Sequence, residues 1–580
     1  MKKVTLIGML AVFCLSIVAQ ATDKPHIVVI LGDDHGVYHS TPYGATEIQT
    51  PHMQAMADEG ITFSRAYVAS PACNPSRTAL FTGLMPSRNL VVGNHEERML
   101  KPGLQNMAEP LIAAGYEVVF KGKVDHRQRD AKSMVPKSVI RLSGWNKPLN
   151  LTNVEDYIKK RKNPSKPLAL FIGTVDTHTT WPKAETVRIK SNEVVLPPKT
   201  FDNSEARILM GRYVESVENV DRTIGEVRGL INKYLGKEKT IVLYTSDHGQ
   251  NWIFGKWSLY ETGVRTPLLA VWPDKIKPKS RTRAMVSWID LFPTLIDIAG
   301  GTTPKGIDGR SFKQVLLGNT DSFRDNIFTI HKGDMGMNVY PSRAVRTEKW
   351  KYILNLHPEF YNTTHMDVPT RVGKDDTKNG HYFPNWGAWI KSAETSQEAA
   401  QFLHAYHTRP KEELYLVEKD PYEKNNLAYD PRYAEPLASL RAMIQARMEE
   451  VKDDKSLSGE PWLLKDHELP PAIKILYPNG GERLNRGDKA EVVWTAQWKG
   501  TSTVKLEYND GSGWKDIAPS TPHDGSYTWD IPAITSPTVN LRVTSRDGKI
   551  FDESDENFYV SEATTDGHNN GGDREFDNKK

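Results

Sequence analysis

Cysteine is scarce in this 580-residue chain, which has only Cys14 and Cys73. Cys14 lies in a leader-like segment, so the processed chain would keep one thiol without a partner, which excludes a disulfide framework. Long apolar runs are scarce too. The one at the start, Val4–Val18, follows Lys2 and Lys3 and precedes Ala19-Gln20-Ala21, the pattern of a secretory signal cleaved after Ala21. It is short for a membrane anchor, and no later stretch is long and apolar enough to cross a bilayer. An excess of one charge is also missing. The net charge of +3 falls to +1 without Lys2 and Lys3, which excludes a general nucleic-acid binder. What remains is a soluble globular composition with room for two or three domains, expected in the periplasm or outside the cell. Its 14 tryptophans and 22 tyrosines suit sugar faces as well as cores.

Four apolar runs share one design. Ile27–Leu31 ends in Asp33, Asp34 and His35; Tyr116–Lys123 leads to His126; Pro167–His178 ends in Asp176 and His178; Thr240–Gly249 ends in Asp247 and His248. Continuous apolar runs bounded by turn residues read as strands buried on both faces. Ionisable residues after each strand would share the carboxyl edge of a parallel sheet, where ligands bind in such folds. Helices are expected over Thr50–Gly60, Asn106–Gly115 and, most clearly, Ser204–Leu235, where apolar residues recur every three or four positions up to Gly236. The alternation predicts an α/β fold with a mostly parallel sheet.

Asp33, Asp34, Asp247 and His248 offer three carboxylates and an imidazole on neighbouring strand ends, a set that favours a hard divalent cation. Cys73 opens CNPSRTALFTG, in which Pro75 suits a first helical turn and Gly83 a stop. Ala79, Leu80 and Phe81 supply its buried face. A lone thiol there is either a buried small hydrophobe or a reactive group, and the polar residues beside it favour the second.

Cys-x-Pro-Ser-Arg with a downstream Thr-Gly resembles the maturation signature of the formylglycine-dependent type I sulfatases, within the alkaline-phosphatase-like superfamily. The resemblance implies that a formylglycine-generating enzyme converts Cys73 to 3-oxoalanine, whose hydrate is the nucleophile. It implies a cation, Ca²⁺ with Mg²⁺ as the alternative, on Asp33, Asp34, Cys73, Asp247 and His248. The Asp-His pair is closer to the iduronate sulfatase branch than to the Asp-Asn branch. Arg77 would orient the hydrate, and Lys123 and Lys256 would stabilise charge on the sulfate. His178, with Lys256, would protonate the leaving group, and His126 would take a proton from the second hydroxyl. Lys256 sits in GKWSLYETG, similar to the family's Lys-x-x-Leu-Tyr-Glu segment. The stretch from Asn338 to Arg346 is similar to part of the heparan N-sulfatases, with His95, His331 and Arg343 as candidate substrate contacts. The implied substrate is a sulfated oligo- or polysaccharide carrying O- or N-sulfate. The alternatives are a phosphonate monoester or phosphodiester hydrolase of the same superfamily, or a non-catalytic sulfated-glycan-binding protein.

The expected domain order is a catalytic domain over 22–345, a C-terminal α+β subdomain over 346–465, a β-sandwich over 470–560 and a disordered tail over 561–580. Trp350–Leu356 reads as the first strand of the subdomain, Glu413–Val417 as another, and Pro436–Val451 as a closing helix. The aromatic-rich segment between Phe360 and His407 has no assigned structure and is expected to form substrate-facing loops. Short alternating strands separated by Asn-Gly-Gly, Asp-Gly-Ser and Arg-Asp-Gly turns mark the sandwich, whose expected role is attachment or spacing.

Overall fold

The computed structural model describes residues 24–562, apart from 95–100, 102, 127–135, 145, 335–337, 365, 368–384, 458, 465–470 and 498–502. The expected signal over 1–21, His95 and the tail from 563 onwards lie outside the described residues.

Eight strands form the main sheet: β1 (His26–Gly32), β2 (Ile61–Tyr67), β3 (Glu117–Gly122), β4 (Ile140–Leu142), β5 (Leu168–Gly173), β6 (Thr240–Ser246), β7 (Leu268–Val271) and β8 (Ser280–Ser287). Their order is β4-β3-β5-β1-β6-β7-β2-β8. All neighbours are parallel except β7, which runs against both β6 and β2. The sheet is therefore mixed but mostly parallel. β1 is central, and Ile27 to Leu31 are all buried because β5 and β6 flank them and helices cover both faces. Register then determines what shares an edge. Leu31 pairs with Gly173, Gly32 with Ser246, and Gly122 with Gly173. Asp33, Asp247, Lys123 and Thr174 therefore leave the sheet side by side.

The helix Ser204–Leu230 is capped by Asn203, whose side chain accepts from the Ala206 amide, and a further turn to Leu235 ends at Gly236. It packs its apolar stripe on the sheet, as its periodicity requires. Beyond the main sheet, β9 (Asn326–His331), β10 (Ser342–Thr347), β11 (Lys351–Asn355) and β12 (Glu412–Tyr415) form an antiparallel sheet in the order β12-β11-β10-β9. The helix Ala434–Glu450 covers it through Leu437, Leu440 and Ile444. The strand expected to open this unit is thus third in chain order. β9 and β10 carry polar and basic residues that mask their alternation.

The segment read as irregular contains two helices, Asn385–Ala393 and Gln397–His407. Trp386 and Trp389 are buried, and Trp389 packs edge-on against Trp252 and Phe402. Its aromatic richness is core packing. Residues Ala472–Ser561 fold as a three-stranded and a six-stranded sheet around a shared core that includes Ile473, Trp494, Trp529 and Leu541. Gln401 Nε2 joins this sandwich to the rest by donating to Asp552 Oδ1 at 2.6 Å and to the Ile473 carbonyl at 3.2 Å. Among the described residues, no helix is long and apolar enough to cross a membrane.

Candidate active site

Cys73 is the first residue of the helix Cys73–Thr82, which follows β2 and ends at Gly83 in a left-handed conformation (φ 65°) that bonds back to the Ala79 carbonyl. All ten helical residues are buried, so the polar Ser76, Arg77 and Thr78 face protein too, rather than leaving one apolar face inward. Cys73 itself is buried, which in isolation would suit an inert thiol. Its company excludes that reading. Its Sγ lies 3.3 Å from His248 Nε2, 3.4 Å from Lys256 Nζ, 3.6 Å from Lys123 Nζ and 3.7 Å from Asp33 Oδ1.

One donor atom from each of Asp33, Asp34, Cys73, Asp247 and His248 falls within 4.8 Å of all the others, and all five residues are buried. Lys123 Nζ donates to both oxygens of Asp33 at 2.9 and 2.7 Å, and Lys256 Nζ to both oxygens of Asp34 at 2.8 and 3.0 Å. Arg77 reaches under the cluster. Its Nε donates to Asp247 Oδ2 at 2.9 Å and its Nη2 to the Gly32 carbonyl at 3.0 Å. The backbone is shaped to match. Asp34 adopts a left-handed conformation (φ 63°), a region aspartate tolerates better than most residues, and its amide donates to Asp247 Oδ1 at 3.0 Å. Gly173 must lack a side chain, because a Cβ there would meet the Lys123 carbonyl at 1.9 Å.

The electrostatics follow from burial and neighbours. Burial would raise the Asp33 carboxyl, but Lys123, then His178, Arg77 and Lys256, outweigh it and hold it well below its ordinary value. Burial would lower His248, yet Asp247 and Asp34 carry it up to about 9. Lys123 and Lys256 are likewise raised by Asp33 and Asp34 respectively, against burial. His178 goes the other way: burial, Lys123 and Lys256 push it well below its usual value, so it is neutral at pH 7. Three buried carboxylates, two of which pull the adjacent imidazole upward, form a field that favours an added cation, and their hard oxygens suit Ca²⁺ or Mg²⁺. The residues present fit such an ion.

Of the other expected residues, His178 lies in the field of Lys123 and Asp33, with Nδ1 2.6 Å from the Thr179 carbonyl oxygen. His126 is half-buried just beyond β3. His331 is buried, with Nε2 3.1 Å from the Asn338 carbonyl and its ring against Trp257, the neighbour of Lys256. Arg343 is engaged elsewhere, donating through Nε and Nη2 to Asp453 and through Nη1 to the His331 carbonyl. Sequence reasoning missed Lys147, whose Nζ donates to the carbonyls of His178 and Thr180 and so ties down the turn carrying His178. A lysine in an irregular loop has no local signal for that contact.

A parallel-sheet edge with a buried donor set for a cation beside two lysines suits chemistry on an anionic ester. Comparison with known proteins makes this specific. Residues 25–301 match the Sulfatase family, and residues 248–367 match "N-sulphoglucosamine sulphohydrolase, C-terminal". The chain is 30% identical to an ulvan-active sulfatase of Formosa agariphila over 426 residues, covering 71% of this chain and 77% of that protein. It is 23% identical to human N-sulphoglucosamine sulphohydrolase, covering 78% and 95% of the two chains. In fold it is similar to a solved structure in complex with its substrate D-glucosamine-2-N,6-O-disulfate (TM-score 0.57, 19% identity, 74% of this chain and 99% of that one). It is similarly close to a phosphonate monoester hydrolase of Agrobacterium radiobacter (TM-score 0.56, 15% identity, 74% and 96%). The chain belongs to the formylglycine-dependent sulfatase family and is a sulfuric ester hydrolase.

Proposed function

We propose that the protein is an exported sulfatase that removes sulfate from a sulfated glycan, with residue 73, converted from cysteine to formylglycine by a maturation enzyme, as its nucleophile. The observation that carries this reading is the set of cationic and acidic groups within 4 Å of Cys73 Sγ, the atom that stands in for an oxygen of the mature residue. Sulfated glycan as substrate is supported by relatives whose names specify ulvan, N-acetylgalactosamine 6-sulfate and N-sulphoglucosamine.

Asp33, Asp34, Asp247 and His248, with residue 73, would hold a divalent cation. Such an ion supplies Lewis-acid stabilisation of negative charge. The protein's own residues do the rest. Arg77 is a positioning residue: it fixes Asp247 and the end of β1, and through them the donor set. Lys123 and Lys256 bring two ammonium groups to the oxygens of the sulfate, where charge is greatest during transfer. His178 is neutral before substrate binds. A bound sulfate anion offsets the two lysines and draws a proton onto the imidazole, which delivers it to the departing oxygen or nitrogen. His126 takes a proton from the second hydroxyl of residue 73 as the carbon–oxygen bond to the transferred sulfate breaks, which releases sulfate and restores the aldehyde. Domain roles follow the same reading, with the sandwich over 470–560 serving attachment or spacing.

Sulfate release from sulfated oligosaccharides, measured beside hydrolysis of a phosphonate monoester on one matured preparation, tests the proposal. Sulfate release should dominate; faster cleavage of the phosphonate would overturn it.

A further inference from the structure

A second concentration of positive charge shares no residue with the Cys73 cluster. Arg65 on β2, Arg281 and Arg283 on β8, Arg265 before β7 and Arg346 on β10 line one groove of about 360 Å³. Sequence dictates part of this convergence. On β8 (SRTRAMVS), Arg281 and Arg283 point to the same exposed side while Thr282 is buried. The strand then gains a residue relative to β2, since Phe63 pairs with Thr282 but Arg65 with Met285. Such a bulge re-aims side chains, and after it Ala284 and Met285 are both buried.

Five arginines face two acids in the groove lining, Glu261 and the exposed Glu418, so positive charge is in excess. Arg265 Nε donates to the Ser64 carbonyl at 3.0 Å, and Arg281 donates to Ser64 Oγ at 3.4 Å and to the Pro42 carbonyl at 2.6 Å. Arg65 pairs with Glu348 at 2.9 Å and Arg283 lies 3.9 Å from the same carboxylate, but Glu348 is 65% exposed. Pairs that open to solvent hold weakly and yield readily to a competing anion. Glu261, at the groove floor, is itself neutralised by Lys351 at 3.2 Å and lies 3.6 Å from Arg346, whose Nε is buried without a hydrogen bond. An edge strand such as β8 gains from charge of either sign as protection against pairing. That need does not explain guanidinium groups converging from four separate segments.

We propose that this groove is a second binding site for a sulfated polysaccharide chain, built from residues outside the residue 73 site. The identity of the polymer rests on the proposed sulfatase activity; the anion chemistry rests on the groove. Guanidinium forks match the oxygens of sulfate monoesters in paired hydrogen bonds, which lysine cannot do. Pro421, exposed at the groove, gives it an apolar contact for a sugar ring. Single-stranded nucleic acid would need aromatic faces for its bases, and the groove's aromatic side chain, Tyr67, is buried. Engaging the polymer at two points raises its local concentration at the catalytic edge.

The test is titration of the full-length protein with dextran sulfate, unsulfated dextran and a single-stranded DNA oligonucleotide, for the wild type and Arg281→Ser/Arg283→Ser. Both replaced side chains are exposed, and thermal unfolding checks that the variant folds. Loss of two exposed contacts should weaken dextran sulfate binding at low salt by about fivefold or more, with no binding of unsulfated dextran. Unchanged affinity in the variant overturns the proposal, as does DNA binding as tight as that of dextran sulfate. Turnover of a small aryl sulfate on the same preparations reads the residue 73 site alone, so failure of the sulfatase reading is told apart from failure of the groove.

Discussion

Arg77 Nε lies 2.9 Å from Asp247 Oδ2, and neither side chain has any exposed surface. The pair joins the helix that carries Cys73 to the end of β6, so the nucleophile and half of the donor set are held by one contact. Replacing Arg77 by alanine would leave buried carboxylates without their partner, a change that costs about 3–5 kcal/mol. Arg77→Ala should unfold at markedly lower temperature and lose turnover. Arg77→Lys should keep charge but lose the fork to Asp247 and Gly32, and should lie between the two in calorimetry.

Removing divalent cations should abolish sulfate release, and added Ca²⁺ should restore it. The second readout is thermal unfolding: a ligand bound only to the folded state at 100 times its Kd adds about 2.7 kcal/mol. An unfolding temperature that does not respond to chelation would argue that the acidic cluster holds no ion.

Lys123 and Lys256 each serve an aspartate and face Cys73 Sγ at 3.6 and 3.4 Å. Their loss removes preorganised positive charge, an effect on the order of 10²–10³ in kcat for one such donor. Lys123→Met and Lys256→Met should show that fall in kcat with a smaller change in KM. A change confined to KM would assign them to ground-state binding.

Stability should fall in acid for an identifiable reason. His404 is 1% exposed, and burial, aided by His523, lowers it from 6.5 to about 4. Its folded pKa lies below the unfolded one, so its contribution is complete above pH 6.5 and is lost as pH falls towards 4. The shift corresponds to at most on the order of 3 kcal/mol. His331, also lowered to about 4, acts in the same sense, while Asp176 and Asp552, both raised to about 6, oppose it. His404→Gln, which can keep the contact to Thr495, should lose less unfolding temperature than wild type between pH 7 and pH 4.5. Equal losses would show that His404 is not a source.

The central strands were legible because they are buried on both faces: runs such as TIVLYTS admit little else, and their terminal Asp and His residues announce the edge. β2 and β8 were not, since ITFSRAY and SRTRAMVS break their apolar runs with polar residues, half-buried at Ser64 and Arg65 and exposed at Arg281 and Arg283. The antiparallel β7 between β6 and β2 is set by tertiary pairing and has no local signature. Within the site, the cluster of Asp33, Asp34, Cys73, Asp247 and His248 was readable from three separated segments. The anchoring of Arg343 by Asp453 was not, because the partners are 110 positions apart and come together only when the helix Ala434–Glu450 docks on β10. The aromatic-rich segment between Phe360 and His407 read as substrate-facing loops for the same reason: Trp389 within it is buried against Trp252, which is remote in sequence.

Everything proposed for the site turns on the chemical state of residue 73. Mass spectrometry of the Cys73 peptide, on protein purified from its native host and shown to release sulfate, tests it directly. The account predicts the mass loss of thiol-to-aldehyde conversion in the active fraction. An unmodified thiol in protein that turns over a sulfate ester would contradict it.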